Sequence, residues 1–211
     1  LMEFITPIAL HHGCNFVAAV AVVWFERADK KLPKNVLKFQ QPPSSTQLSL
    51  VKMVLGIKVM PFDSFVQTLN SVIKSPPQIY RPPTGLVLNV SALEFFYVYM
   101  SKVRVDNLND SWSSLLNLLK DSLGLSPPAQ FILLIILHDF CKECSPTDRK
   151  DKKDVRDLHD ITTRLIDAIA TIAGACLEQT TWLRRNLAVK EEVTDELRDG
   201  SLTPTSGTHQ Y

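Results

Sequence analysis

Four proline pairs, Pro42-Pro43, Pro76-Pro77, Pro82-Pro83 and Pro127-Pro128, divide this chain of 211 residues. The residue before a proline is pushed out of the helical region of backbone space, so helices stop at or before such pairs. Between the pairs, apolar residues recur at three- and four-residue spacing almost everywhere, the signature of helices with one buried face. No stretch alternates with period two for long enough to demand a strand. LVLNVSAL, residues 86–93, is the only candidate, and a helix cap at Ser91 competes with it. The expected fold class is all-α.

Reading along the chain, residues 1–29 are apolar on most faces and predict two short helices that break near His12-Gly13. Residues 30–47 are polar and proline-bearing, and read as a loop, ordered or disordered. The helical-repeat part is expected over 48–190. It begins with helices over about 48–58 and 61–74, where Pro61 suits a first turn that does not need its N–H. SPPQIYRPPTG, 75–85, follows as an extended connector. Ser91 and Glu94 have capping-box spacing, S-x-x-E, and predict a helix start there, with Phe95 and Phe96 in the core. Asn109 or Asp110 is expected to cap the next helix, whose Trp112, Leu115, Leu116, Leu118, Leu119 and Leu123 make one wide apolar face up to Gly124. Pro127 or Pro128 opens a helix to about 143. The last and longest helix is expected over about 150–189, with a seam of Val155, Leu158, Ile161, Leu165, Ile169, Ile172, Cys176, Leu183 and Leu187. Gly174 in its middle costs about 1 kcal/mol relative to alanine, which points to close approach by a crossing helix. The polar tail, 191–211, is expected to be frayed or disordered. Seven or eight helices with connectors at intervals of roughly 35 to 45 residues suit an irregular armadillo- or HEAT-like α-solenoid segment.

Charge and composition exclude several roles. Twenty-three basic and 22 acidic residues leave a formal charge of +1, without the large positive field that nucleic-acid binding needs. Four cysteines, Cys14, Cys141, Cys144 and Cys176, are too few and too scattered for a disulfide scaffold, and fit a reducing cytosol. FVAAVAVVWF, 16–25, is half the length of a membrane span, and FILLIIL, 131–137, is shorter still. Both read as core helices. The chain opens on Leu1 rather than methionine, so its natural start is expected to lie upstream.

Catalytic and metal chemistry find little support. His11, His12 and Cys14 carry donor atoms, and Cys141 and Cys144 form C-x-x-C, but a structural zinc site normally joins two close pairs, and these lie on different helices. His138 and Asp139 adjoin, and Asp157, His159 and Asp160 cluster, yet no nucleophile, base and orienting group converge in sequence. No Gly-rich phosphate loop, G-x-S-x-G or H-E-x-x-H is present. No catalytic residue, metal, cofactor or small-molecule substrate is expected.

Two stretches remain. RKDKKDVRDLHD, 149–160, alternates sign and reads first as the solvated start of a helix. As an alternative it offers Lys150, Lys152, Lys153 and Arg156 to an anionic membrane, where basic residues contribute about 1 kcal/mol each. LEQTTWLRRNL, 177–187, places Arg184 and Arg185 near the negative end of a helix dipole, worth roughly 0.3–1 kcal/mol each. Trp182 beside Gln179, Thr180 and Thr181 is not explained by a helix end. It serves either in packing on an adjacent repeat or as a partner-binding edge, since large aromatics anchor interfaces.

DSWSSLLNLLKDSLGLSPPAQFILLIILHDF, 110–140, and KKDVRDLHDITTRLIDAIATIAGACLEQTTWLRRNL, 152–187, closely resemble the Dopey family of large membrane-traffic proteins. FITPIALHHGCNFVAAVAVVWFER and LEFFYVYM also look like that family, so the likeness covers most of the chain except 30–47 and the tail. Family members are far longer, and this chain is similar to an internal segment. The resemblance implies a cytosolic scaffold, peripheral on Golgi and endosome membranes and built of helical repeats, that works with a large Arf-exchange-factor-like partner. It also implies links to kinesin light chain and to phosphoinositide membranes, and no enzyme activity. The combined expectation is a protein–protein interaction scaffold with Trp182, Arg184 and Arg185 as contacts and Leu119 among its core. Direct binding to anionic lipid is the alternative.

Overall fold

The computed structural model describes residues 2–28, 42–144 and 152–199, with the side chains of 3–28, 42–144, 152–182 and 184. Among these residues there are nine helices and no strand. They are α1 (Met2–His11), α2 (Gly13–Glu26), α3 (Ser45–Leu55), α4 (Phe62–Lys74), α5 (Leu88–Met100), α6 (Val105–Asp110), α7 (Trp112–Asp121), α8 (Pro127–Glu143) and α9 (Lys152–Asp199). The fold is all-α, an irregular helical array of the solenoid-like kind with one long helix near the C-terminus. Its nine helices among the described residues are one more than the upper end of the expected seven or eight. Short α6 offers only Leu108 as a buried residue, too little for a period to register in sequence.

Helix starts differ from expectation in instructive ways. The break between α1 and α2 falls at His12, whose φ of −132° and ψ of 47° leave the helical region. α3 begins at Ser45, inside the stretch read as loop, because Ser44 and Gln47 form the capping box. The Gln47 backbone N–H donates to Ser44 Oγ at 3.1 Å and the Ser44 N–H donates to Gln47 Oε1 at 2.9 Å. Gln47 is buried, and its Nε2 donates to the Trp24 carbonyl at 3.1 Å, so the same side chain ties α3 to α2. The box expected at Ser91 and Glu94 does not open a helix. α5 starts earlier, at Leu88, with no side-chain cap, and Ser91 lies buried in its first turns. Leu88 and Val90 pack on the core, and that packing outweighs the local cap preference. Asn109 and Asp110 do not cap α7 either. They end α6, and Ser111 stands between the two helices without a side-chain cap bond.

The core is aromatic where α2, α4 and α5 meet. Trp24 meets Phe95 edge-on at 5.6 Å, Phe65 lies 4.7 Å from Tyr99, and Phe62 stacks on Phe96 at 5.9 Å. Such pairs add about 0.5–1.5 kcal/mol each beyond the burial of their area. α5 also packs on α8, and α4 on α7. Trp112 of α7 and Phe140 of α8 close that end at 4.6 Å. Leu119 is buried with them, and so are Leu158, Ile161 and Leu165 from the first turns of α9.

The chain divides into two compact units, residues 1–169 and 170–211. In the first, Ile169 is partly buried on the core, while Val155, expected in the seam, is exposed. In the second, Ile172 is half-buried and Cys176 exposed; the side chains of Leu183 and Leu187 lie outside the described residues. The helix continues to Asp199, beyond the expected end near 189. Residues 30–41 of the expected loop and 200–211 of the expected tail lie outside the described residues. No described helix is long and apolar enough to cross a membrane.

Among the described residues nothing makes the close approach expected at Gly174. A Cβ built there meets no described atom within 4 Å. It is found instead at Gly13, where an added Cβ would stand 3.3 Å from Thr68 Cγ2 and 3.4 Å from Met60 Cε. The start of α2 thus lies tight against α4 and the turn before it.

Candidate functional site

Three places concentrate unusual side chains. The first is α9 beyond Ala170. Thr180 Oγ1 and Thr181 Oγ1 both donate to the Leu177 carbonyl at 2.9 Å, so the two threonine hydroxyls are satisfied along their own helix. Outward it presents Glu178 and Gln179 together with apolar and cationic side chains. Leu177 is 68% exposed, Trp182 64%, and Arg184 is exposed as well. The Arg185 side chain lies outside the described residues. An indole in that setting offers a broad apolar face.

The second place is the start of α9. Lys152, Lys153 and Arg156 are exposed, and Lys150 lies outside the described residues. Arg156 Nε donates to the Lys152 carbonyl at 3.4 Å. Asp154, Asp157 and Asp160 interleave with these cations, and Asp160 pairs with Arg164 at 3.7 Å.

The third place was not legible in the sequence. An open pocket of about 390 Å³ lies where the turn from α3 to α4 meets the turn from α5 to α6. Ile57, Met60, Phe62 and Tyr99 supply buried apolar surface, and Lys58, Lys102 and Arg104 supply cations. Lys58 and Lys102 are 44 positions apart in sequence, and each sits in a turn with no motif around it.

The remaining candidates do not come together. His138 Nδ1 lies 3.0 Å from Asp139 Oδ1 on the surface of α8. Burial raises the Tyr97 phenol, and the Asp139 carboxylate, to which it hydrogen-bonds, raises it further. No nucleophile completes this group, and Asp157 and His159 are exposed on α9. Among the described residues no three His, Cys, Asp or Glu side chains gather as a metal site. Cys14 is exposed and Cys144 buried; Cys141 is half-buried, and burial pushes its thiol up.

Helices stacked around one aromatic core, with their unusual side chains on helix faces and turns, define a segment of the helical-repeat class. Across 220 residues, all of this chain, it is 51% identical to the Protein DOP1 homolog of Drosophila pseudoobscura pseudoobscura, of which the match is 8%. Across 202 residues, 94% of the chain and 9% of the relative, it is 35% identical to Protein DOP1B of Xenopus laevis. Protein pad-1 of Caenorhabditis elegans is 31% identical over 209 residues, 91% of the chain and 9% of the relative. The chain belongs to the Dopey family and spans less than a tenth of the length of these relatives. No family model and no solved structure matches it significantly.

Proposed function

We propose that this chain is part of a non-enzymatic scaffold in protein transport between Golgi and endosomes, cytosolic and peripheral on those membranes, working through protein–protein contacts. Membership of the Dopey family supports the general setting. The observation that carries the contact reading is Trp182, 64% exposed on α9, within a stretch where Leu177 and Arg184 are exposed as well. Interfaces concentrate their binding energy in tryptophan, tyrosine and arginine, at roughly 2 kcal/mol or more for each dominant residue. Trp182 would be the apolar anchor, with Arg184 and Arg185 as charged contacts. The proposed partners are a large Arf-exchange-factor-like Golgi scaffold and, for movement, kinesin light chain.

The test is quantitative affinity purification with the wild-type chain and with the triple variant Trp182→Ala, Arg184→Ala, Arg185→Ala, both shown by thermal melting to be folded. Loss of the Golgi scaffold from the variant is the expected result. Equal recovery from both removes these residues from the interface.

The rival is direct binding of anionic lipid, phosphoinositides included, through Lys150, Lys152, Lys153 and Arg156. The exposure of the last three favours it, and the interleaved aspartates oppose it. Flotation with vesicles containing phosphatidylserine decides: binding that rises with anionic lipid and falls with salt establishes the rival, and its absence removes it.

A further inference from the structure

We propose that the pocket between the α3–α4 and α5–α6 turns binds an acidic peptide segment with an apolar anchor residue, supplied by a partner protein. This rests on the protein–protein reading above, and places a contact away from α9.

Size comes first. At about 390 Å³ the pocket lies at the small end of the usual range for ligand sites, roughly 300–1,000 Å³. Its lining is mixed in a specific way. Ile57, Met60, Phe62 and Tyr99 are buried residues that reach it from three segments, and Leu55, itself 39% exposed, borders it. An apolar side chain placed here would leave water for a surface already desolvated around it. A bare inorganic anion gains nothing from that surface.

Polar groups then define what must flank the anchor. Lys58, Lys102 and Arg104 line the same pocket. Among the described residues neither Lys58 nor Lys102 has an ion-pair partner, whereas Arg104 is shared with Asp106 at 3.3 Å. Asp63 and Asp110 also line the pocket, and Asp63 Oδ2 already accepts from Gln67 Nε2 at 2.7 Å. Three cations and two carboxylates leave the lining with a net charge of +1, and its two lysines have no ion-pair partner among the described residues, so a carboxylate beside the anchor complements them.

Two hydroxyls mark unused polar capacity deeper in. Ser111 is 2% exposed and Tyr99 3%; both line the pocket, and neither hydroxyl has a hydrogen-bond partner among the described residues. Burial holds the Tyr99 phenol up to about 12, so it stays a neutral donor. A peptide carbonyl or carboxylate entering the pocket could accept a hydrogen bond from either hydroxyl.

The test is selection of a random dodecapeptide display library on the 211-residue chain, followed by fluorescence anisotropy of the labelled hits. Enrichment of Leu, Met or Phe flanked by Asp or Glu is expected. The hits should weaken by roughly tenfold or more, a change of about 1.4 kcal/mol or more, in Lys58→Glu/Lys102→Glu and in Leu55→Glu. In Lys58→Gln/Lys102→Gln they should weaken less, and in Trp182→Ala not at all. These substitutions lie at exposed positions, and melting curves identify any variant that fails to fold. No enrichment, hits without acidic residues, or hits indifferent to the two lysine pairs would overturn the pocket reading. Hits that need Trp182 instead would also overturn it while leaving the α9 contact standing. Vesicles or inorganic phosphate that compete for the lysines without peptide selectivity would show a simple anion site, and overturn it too.

Discussion

The first turns of α9 and the turns beyond Ala170 carry one apolar seam under two different fates. Leu158, Ile161 and Leu165 are buried in the core of the first unit, while in the second Ile172 is only half-buried and Cys176 and Leu177 are exposed. The helix is continuous through both. A three-and-four-residue apolar period therefore specifies which face of a helix wants cover, and says nothing about whether cover is present. In the first unit α2, α4 and α5 meet that demand with one another's aromatic rings. In the second, Leu177 and Trp182 are left exposed.

The sharpest way to break this contrast is truncation on each side of it. Phe65, in contact with Phe95, Phe96 and Tyr99, should lose about 3–5 kcal/mol of stability as Phe65→Ala, read by urea unfolding. Leu177→Ala should stay within about 0.5 kcal/mol. Similar losses at the two positions would show that the second stretch of α9 is packed after all. Next in size is Gln47→Ala, which removes the side-chain arm of the capping box and the bond to the Trp24 carbonyl. A loss of about 1–2 kcal/mol is expected, with the midpoint of thermal melting as the measure.

Glycine substitutions sharpen the contrast with an effect of opposite sign. Gly174→Ala should raise stability by up to about 1 kcal/mol, because the new methyl meets open space in a helix interior. Gly13→Ala should gain nothing or lose, because Thr68 and Met60 stand in the way. The smallest effect is electrostatic. Hydrogen bonds from Lys74, at 2.8 Å, and from Asn70 hold the Asp121 carboxyl below the usual carboxylate range. With its folded pKa depressed, Asp121 contributes stability that is present above its unfolded value, near 4, and lost as pH falls through the folded value. The exposure of the pair limits this to less than about 1 kcal/mol. Asp121→Asn should remove the increment at neutral pH and flatten the acid limb below about pH 4, followed by melting across a pH series.

How far the sequence could be read depended on the range of each interaction. Helical class, the break at His12, the helix opened by Pro127 and the core roles of Phe95, Phe96 and Leu119 all follow from neighbours a few residues apart. Ser91 with Glu94 and Ser44 with Gln47 show the limit: both have cap spacing, and only packing decided between them. Leu88 and Val90 drew α5 past the first pair, whereas Gln47 found the Trp24 carbonyl. Of the candidate contacts, Trp182 was legible as an aromatic out of place in a polar run. Lys58 and Lys102 were not, because nothing local distinguishes them from other surface lysines.

By itself the sequence determined that this protein is helical, where most helices lie, and that its charge is balanced. Those are properties of local spacing and composition, set by backbone sterics and by the 3.6-residue turn. Tertiary structure alone decided which apolar faces are covered, that Gly13 rather than Gly174 is a point of close approach, and that two distant turns share a pocket. Burial and juxtaposition arise from packing between segments far apart along the chain, and no window of neighbouring residues contains them.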